Sequence, residues 1–302
     1  MEASRLRTLM MKSRLLPQAL CFLSLFLILG VQGYAQTCAG MDLGNIASLN
    51  GFLPYSGNPN SIWNQNISAA PIDPNSANII AGLPINYHLH PDFGPDTGTG
   101  IPYVIVDSSV QPFINVNGPP AGPPGPNASQ SDDVVEPAPI TAPLEGAQPD
   151  CLDWPAGEYY FGDTHMLVID RNQCWAYETY LTSRCDGQFS ATGQAIWDLQ
   201  NGEQRPWGWS STDAAGDSVF VGLMKYDEVY NAAYNSQPIS HAVRFSVTHT
   251  KGDGAAGYFV LPDTHGASAA YNYKYLNVMG MRLRLKNDAN TNAKIATYSP
   301  MN

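Results

Sequence analysis

Apolar and polar residues alternate along two segments in the second half of the chain. From residue 239 to residue 249 the odd-numbered positions are apolar up to Val247, apart from His241. From residue 279 to residue 286 apolar residues alternate with Gly280 and then with cations. Successive side chains of a β-strand point to opposite faces. Both segments are therefore predicted strands, and His241 lies on the apolar face of its strand, opposite Arg244.

Shorter apolar runs between Gly, Pro and Asn predict further strands. The segments 164–171 and 174–180 form a hairpin in this interpretation, because Asn172 and Gln173 between them suit a tight turn. One helix is predicted over 220–230, with Asp217 or Ser218 as its N-cap. The other predicted strands are 101–106, 113–116, 194–199 and 257–261.

Composition supports a turn-rich β protein. The 302 residues include 27 Gly and 24 Pro, and only 14% are charged, which is not typical of a coiled coil, a helical bundle or a charged disordered chain. The predicted fold is all-β, an antiparallel β-sandwich or jelly-roll-like domain with long Pro/Gly/Asn-rich loops and one or two short helices. Residues 118–146 are rich in proline and predict an extended loop or linker at the surface.

The N-terminus has the pattern of a secretory signal peptide. Basic residues precede an apolar run from Leu20 to Val31, and Gly33 and Ala35 are the small residues expected before a cleavage site. We expect a signal peptide over 1–35, a single β-rich domain over 36–302, and a secreted or periplasmic location. No later segment is long and apolar enough to predict a membrane span after cleavage. The basic residues are Arg5, Arg7, Lys12 and Arg14.

Cleavage after Ala35 removes Cys21 and leaves an even number of cysteines. An even number in an exported chain favours disulfides, and four cysteines allow three connectivities. The favoured pairing is Cys174–Cys185 across a hairpin, with Cys38–Cys151 closing the N-terminal region. The alternative is four free buried thiols.

Charge is divided unevenly along the chain. Residues 36–170 contain 14 acidic residues and neither Lys nor Arg, so every cation after the signal peptide lies at or beyond Arg171. Such an acidic chain does not suit nucleic-acid binding or adhesion to an anionic membrane. The acids of the first half are candidate Ca²⁺ ligands, and the alternative is a solvated acidic surface.

Histidines and their neighbours supply the candidate catalytic residues. The tripeptide Asp163-Thr164-His165 recurs at residues 263–265, and a His beside an Asp can serve as a general base or a metal ligand. A His on an apolar face, such as His241, is either a base poised near neutrality or a satisfied core residue. Tyr226 is a further candidate base for a lyase. The alternative for each Asp-Thr-His copy is a polar strand end.

Scarce cations and tryptophans supply the candidate substrate-binding residues. Arg282 and Arg284 share one face of a predicted strand, and Arg244 can join them. Arginine suits bidentate recognition of carboxylates, which favours an anionic sugar, whereas the alternative is pairing with acids of the first half. Trp207 and Trp209 can stack on sugar rings, and the alternative is core packing.

Several separated blocks resemble a family of secreted bacterial proteins whose activity is uncharacterised. The resemblance implies an exported, β-rich single domain and supplies no catalytic residues. The segment from Asn287 departs from the family pattern. The blocks are GDTHMLVID at 162–170, STDAAG at 211–216, GLMKYDEV at 222–229, ISHAVRF at 239–245 and MGMRLRLK at 279–286.

Two functional hypotheses follow from these patterns. The first is a secreted carbohydrate-associated protein that acts on or binds an anionic polysaccharide. The second is a non-catalytic structural or surface protein of the cell envelope, stabilised by Ca²⁺. The sequence leaves open whether the protein is an enzyme.

Overall fold

The fold is described from a computed structural model. It describes residues 38, 61–83, 100–116, 130–147, 163–202, 204–236, 239, 241–253, 257–267, 271, 273–286 and 288. All of them belong to the second of two units, Met1–Gln36 and Thr37–Asn302. The predicted signal peptide and Cys151 lie outside the described residues.

Six strands and three short helices make up the regular structure of the described residues. Two 3₁₀ turns, Ile62–Asn64 and Glu145–Ala147, accompany them. The strands are β1 (Tyr103–Val106), β2 (Met166–Asp170), β3 (Trp175–Tyr180), β4 (Ser183–Cys185), β5 (Gln188–Ser190) and β6 (Gly193–Asp198). The helices are α1 (Ser76–Gly82), α2 (Val219–Gly222) and α3 (Tyr226–Tyr234).

Four strands form a mixed sheet in the order β1-β2-β3-β6, and β4 pairs with β5 in a separate hairpin. The predicted mainly-β fold and the β2–β3 hairpin are confirmed. An entirely antiparallel arrangement is wrong, because β1 pairs in parallel with β2, with Tyr103 opposite Leu167. A long connection separates these two strands in the sequence, as parallel neighbours require. The sandwich or jelly-roll arrangement stays a prediction.

Strand β2 is the centre of the structure. All five of its residues are buried, because both faces of the sheet are covered. Leu167 and Ile169 pack in one core together with α2, whose Phe220 is fully buried. Met166 and Val168 point to the opposite face and pack in a second core. A continuous apolar run is what a strand covered on both faces requires.

The second core is covered by residues 130–147, which we call the strap. Its Ala138, Ala142 and Leu144 are buried against the sheet. The predicted surface linker is therefore wrong for residues 130–146, and residues 118–129 lie outside the described part. Gln194 of β6 explains the difference, because its backbone and side-chain oxygens accept the N–H groups of Asp132 and Val134 at 3.0 and 2.8 Å.

Several predicted strands are not strands. Within the described residues, segments 113–116, 257–261 and 279–286 contribute only isolated bridges, such as Phe259 with Met279, and 239–249 contains no strand. Leu285 is 73% exposed, so the alternation there does not mark a buried face. The predicted helix 220–230 is divided into α2 and α3. Ser218 is the N-cap of α2, and its hydroxyl accepts the Val221 N–H at 3.1 Å.

One disulfide joins Cys38 to Cys174, with their Cα atoms 4.7 Å apart. The predicted pairings Cys174–Cys185 and Cys38–Cys151 are therefore wrong. Cys174 precedes β3, whereas Cys185 ends β4 in the separate hairpin, so the two are not cross-strand neighbours. The Cys38 N–H instead donates to the Arg171 carbonyl at 2.9 Å, which brings Cys38 to the β2–β3 turn. Cys185 is disulfide-bonded as well, to a partner outside the described residues.

Candidate functional site

Residues 211–218, which we call the Asp loop, carry Asp213 and Asp217 and end at the N-cap of α2. Glu178 of β3 is fully buried and holds both ends of this loop. Its carboxylate accepts the hydroxyl of Thr212 at 3.0 Å and that of Ser218 at 2.6 Å. It also accepts the N–H groups of Val219 and Phe220 at 3.0 and 2.9 Å. A buried carboxylate with four donors fixes the loop to the sheet.

The two Asp-Thr-His copies bind the same loop. His165 places Nε2 2.9 Å from the carbonyl oxygen of Thr212. His265 places Nδ1 2.9 Å from the carbonyl oxygen of Ala214, and its backbone N–H donates to Ala215 at 3.0 Å. The repeated tripeptide thus holds the Asp loop from two parts of the chain.

Gly216 allows the second copy to approach. Its φ is +83°, a left-handed conformation that glycine adopts without a Cβ clash. A Cβ at this position would lie 2.2 Å from the Thr264 hydroxyl and 2.6 Å from the Trp209 carbonyl oxygen. The Thr264 hydroxyl donates to that same carbonyl at 2.8 Å. Gly216 therefore permits the contact that brings the neighbouring residues Asp217 and Asp263 together.

Asp217 and Asp263 form a hydrogen-bonded carboxyl pair. Burial raises the pKa of Asp217 well above its ordinary value of 3.8, and the hydrogen bond to Asp263 raises it further. Burial also raises the pKa of Asp263, to about 6, against the effect of the N–H of Gly280 that donates to it. Two carboxyl groups can hydrogen-bond only when one is protonated. The hydrogen-bonded pair therefore holds one proton, and burial favours the protonated form of both carboxyl groups.

Arg244 lies among the carboxyl groups of this site. Its Nη1 is 2.7 Å from Asp213 Oδ2, and both side chains are 16% exposed. Its positive charge also acts on Asp217 and Asp263, lowering the pKa of each against the larger effect of burial. Gly222 makes room for it, because a Cβ there would lie 2.8 Å from the Arg244 side chain. The site therefore combines a proton-sharing pair with a fixed cation.

His165 is not arranged as a general base. It is 4% exposed, and its Nδ1 is 2.7 Å from Glu145 Oε2 while Nε2 faces the Thr212 carbonyl. Burial opposes charge on the ring, but the hydrogen bond and the charge of Glu145 outweigh it, so the pKa of His165 is raised. Both neighbours are acceptors, and a ring that donates from both nitrogens is an imidazolium.

His241 has a separate carboxylate partner. Its Nε2 is 2.8 Å from Glu228 Oε1, and its Nδ1 is 2.7 Å from the Ala242 carbonyl oxygen. The His241 side chain is 1% exposed, and Lys225 Nζ lies 3.8 Å from the other oxygen of Glu228. Both ring nitrogens of His241 are thus occupied, and neither is bonded to the carboxyl pair. This favours the satisfied core residue over the base.

The other two predicted catalytic residues lie at the surface. Asp163 is exposed and hydrogen-bonds to Tyr180. Burial, and then the charge of Asp163, raise the pKa of Tyr180 to about 12. Tyr226 is 69% exposed at the start of α3, with its ring 6.3 Å from that of Tyr230. The structure gives neither residue a contact with the carboxyl pair.

The two predicted sugar-stacking tryptophans differ in exposure. Trp207 is 73% exposed, and its ring centroid lies 4.3 Å from that of Phe259. The next residue, Gly208, donates its N–H to the Thr264 carbonyl at 2.8 Å, which places this aromatic pair beside Asp263. Trp209 is partly buried under the guanidinium of Arg205, 5.4 Å from the ring centroid. Of these two tryptophans, Trp207 is the one that offers an exposed aromatic surface.

Arg282 and Arg284 are exposed and have neutral partners. Arg282 donates to the Gln65 side chain at 2.8 Å, and Arg284 donates to the carbonyl oxygens of Ile67 and Ala70. Neither has a carboxylate partner among the described residues. They follow Gly280, whose N–H donates to Asp263, so the basic segment begins two residues after a contact with the carboxyl pair.

Two arginines outside the predicted basic stripe pair with acids of the first half, whereas the alternative expected such pairs for the stripe itself. Arg171 Nη2 lies 3.2 Å from Asp107 Oδ2, and Arg205 binds Asp132 of the strap. Arg171 and Arg205 therefore lie in ion pairs, whereas Arg282 and Arg284 are exposed with neutral partners.

Within the described ranges, no group of three or more His, Cys, Asp or Glu side chains has an arrangement that can hold a metal ion. Ca²⁺ binding stays a prediction. No helix in the same ranges combines the length and apolar character that a bilayer crossing requires.

Comparisons with protein-family models, curated proteins and solved structures find no match to this chain. The resemblance to secreted bacterial proteins stays a prediction.

Proposed function

We propose that this protein is an exported lyase that cleaves an anionic, uronate-containing polysaccharide by β-elimination. The observation that carries the proposal is the hydrogen-bonded carboxyl pair of Asp217 and Asp263, in which burial raises the pKa of both groups. A protonated and an ionised carboxyl group side by side provide a general acid and a general base in one place.

The short distance within the pair favours elimination over hydrolysis. Glycosidases separate their two carboxyl groups by about 5–5.5 Å or about 6.5–9.5 Å, to admit a nucleophile or a water molecule. Asp217 and Asp263 are hydrogen-bonded directly, which is closer than either arrangement. Elimination from one face of a uronate needs a base at the C5 proton and an acid at the neighbouring glycosidic oxygen.

The reaction balances within the pair. Ionised Asp263 takes the C5 proton, and the C–H electron pair forms the C4–C5 double bond. The bond from C4 to the glycosidic oxygen breaks, and Asp217 gives its proton to that oxygen. The two carboxyl groups have then exchanged protonation states, and the proton returns along their hydrogen bond. No co-reactant is consumed.

A uronate carboxylate must be neutralised to make its C5 proton acidic. Arg244 is held by Asp213 at 2.7 Å, so in this proposal it tunes the pair and does not bind substrate. Arg282 is the better candidate for the substrate carboxylate, because it is exposed, has only an amide partner and follows the segment that contacts Asp263. Arginine can bind a carboxylate through two parallel hydrogen bonds.

Trp207 supports a carbohydrate substrate. An exposed indole beside the carboxyl pair provides an apolar face for a pyranose ring, while the ring of Phe259 supports it from one side. The Cys38–Cys174 disulfide supports export, because disulfides persist in oxidising compartments. The sandwich or jelly-roll arrangement also belongs to this proposal, and an experimental structure of the whole chain tests it.

The test uses the purified chain without its predicted signal peptide. It is incubated with a panel of uronate polymers, and ultraviolet absorbance of unsaturated products is followed beside the release of reducing ends. We expect both signals to rise together for at least one polymer. Reducing ends without absorbance would replace elimination with hydrolysis. If neither signal appears but a polymer retards the protein in a gel, the binding hypothesis replaces the enzyme.

A further inference from the structure

We propose that His165 is a positioning residue, an imidazolium that joins the strap to the Asp loop and so fixes Asp213 and Arg244 beside the carboxyl pair. The effect on cleavage rests on the proposed function, whereas the effect on the Asp loop does not. His265, from the other Asp-Thr-His copy, provides an internal comparison.

On the strap side, His165 and Glu145 are joined three times. Glu145 Oε2 lies 2.7 Å from His165 Nδ1 and accepts the His165 backbone N–H at 3.1 Å. The Glu145 backbone N–H donates to the His165 carbonyl at 2.9 Å. The end of the strap is therefore fixed to the residue that immediately precedes β2.

On the loop side, His165 Nε2 lies 2.9 Å from the carbonyl oxygen of Thr212. The next residue is Asp213, whose carboxylate is 2.7 Å from Arg244 Nη1. Arg244 acts electrostatically on both members of the carboxyl pair and on Glu145. The contacts thus lead from the buried ring of His165 to the cation that faces the pair.

The contacts of the His165 ring with Glu145 and with Thr212 together require a proton on each ring nitrogen. Glu145 and the Thr212 carbonyl can only accept, so a neutral ring leaves one of them without its donor. The groups that face the ring are Glu145, the charge of Asp163 and the ring of Tyr180, whose centroid is 5.7 Å away. The pKa of His165 is raised by Glu145 against the effect of burial, so the doubly protonated ring persists to higher pH than an ordinary imidazolium and is lost above the raised value.

His165 is not a catalytic residue in this proposal, because both of its ring nitrogens are occupied by Glu145 and the Thr212 carbonyl. The side chain of His265 makes one contact, to Ala214, while its backbone N–H binds Ala215 whatever the side chain is. His265→Gln is therefore a matched control, because it replaces another histidine that contacts the Asp loop.

The first experiment measures hydrogen–deuterium exchange of the Asp loop in the full domain, corrected for intrinsic rates. In His165→Gln we expect exchange of the 211–218 amides to accelerate by about tenfold or more, the effect of losing a hydrogen bond to a charged group. In His265→Gln we expect less than about a twofold change, since the backbone bond remains. In the wild type the corrected rate should rise as the pH passes the raised pKa of His165.

The second experiment uses Glu145→Gln, which keeps the side-chain shape and an acceptor for the His165 N–H but removes the charge. We expect the high-pH limit of polymer cleavage to move to lower pH, with kcat reduced by about tenfold and KM retained. If His165→Gln does not fold, loop exchange in Glu145→Gln decides the inference in the same way.

The inference is overturned if loop exchange in both variants matches that of the wild type. It is also overturned if His265→Gln disturbs the loop as strongly as His165→Gln does. Absence of any cleavage by the wild type would count against the proposed lyase only, because the exchange measurement needs no substrate.

Discussion

The side chains of Asp217 and Asp263 are hydrogen-bonded to each other. The neighbours Gly216 and Thr264 enforce this, since the chain segments approach so closely that a Cβ on Gly216 would meet the Thr264 hydroxyl. The pair is thus placed by backbone contacts of the Asp loop, and its shared proton follows from that placement.

Asp217→Asn should make unfolding less dependent on pH. Both carboxyl groups have raised pKa values in the folded protein, so their contribution to stability is full below 3.8 and is lost as pH rises through the folded values. An amide donates to Asp263 without binding a titrating proton. The variant's free energy of unfolding minus that of the wild type should therefore increase by about 1 kcal/mol between pH 4 and pH 8. Urea unfolding across this range measures it.

The matched control is Asp186→Asn, in the exposed turn between β4 and β5, where φ is +49°. Asparagine suits that conformation, and the control should follow the wild type at every pH. A wild-type-like pH dependence in Asp217→Asn would mean that the pair does not hold an extra proton.

Glu136→Gln should remove a second pH-dependent loss of stability. Glu136 is fully buried, and its Oε1 has no hydrogen-bond partner among the described residues. Burial raises its pKa from 4.5 to about 7, despite the Gln194 amide that donates to Oε2 at 2.7 Å. Its contribution to stability is full below 4.5 and is lost as pH rises through about 7. Between pH 4.5 and pH 8, the free energy of unfolding of the variant should rise by about 3 kcal/mol relative to that of the wild type, measured by urea unfolding. A constant difference across that range would contradict the assignment.

Glu178→Ala should be strongly destabilising. The carboxylate accepts four hydrogen bonds from the Asp loop and α2, and its removal leaves these donors buried without a partner. We expect a loss of about 3–5 kcal/mol in the free energy of unfolding. Glu178→Gln keeps acceptor capacity at one oxygen and should cost less. Equal stability of the alanine variant and the wild type would show that Glu178 does not hold the loop.

The local patterns of the sequence predicted the central sheet well. The run from Met166 to Ile169 predicts a buried strand, and Asn172 with Gln173 marks the turn to β3, because both features depend on neighbouring residues. The alternation at 279–286 was misleading. Its cations bind backbone carbonyls and a glutamine in the loop at residues 65–70, and so hold the segment without a sheet.

Most of the site could not be predicted from local patterns. Asp217 entered only as an alternative N-cap, and Asp263 only as part of a repeated tripeptide, because nothing local shows that the two segments meet. The repeat was nevertheless a usable signal, since both copies bind the Asp loop. The two copies differ in burial. Asp263 of the second copy is buried, whereas Asp163 of the first copy is exposed.

Arg282→Ala combined with Arg284→Ala should weaken binding of a uronate polymer. The two guanidinium groups are exposed and lack carboxylate partners among the described residues. We expect about a three- to tenfold loss of affinity in gel retardation, since exposed charge pairs contribute modestly. Lys274→Ala removes an exposed charge that faces Tyr275 and should leave retention unchanged. If the polymer retards the double variant and Lys274→Ala equally weakly, the effect is a nonspecific one of net charge.

The most direct test of the account compares Asp263→Asn with Asp186→Asn on the polymer that the wild type cleaves best. Formation of unsaturated uronate is followed by absorbance, with binding checked by gel retardation. We predict that Asp263→Asn retains binding but loses kcat by about a hundredfold or more, as expected for removal of a general base, while Asp186→Asn keeps wild-type activity. Wild-type kcat in Asp263→Asn would contradict the assignment of the carboxyl pair as the acid–base centre.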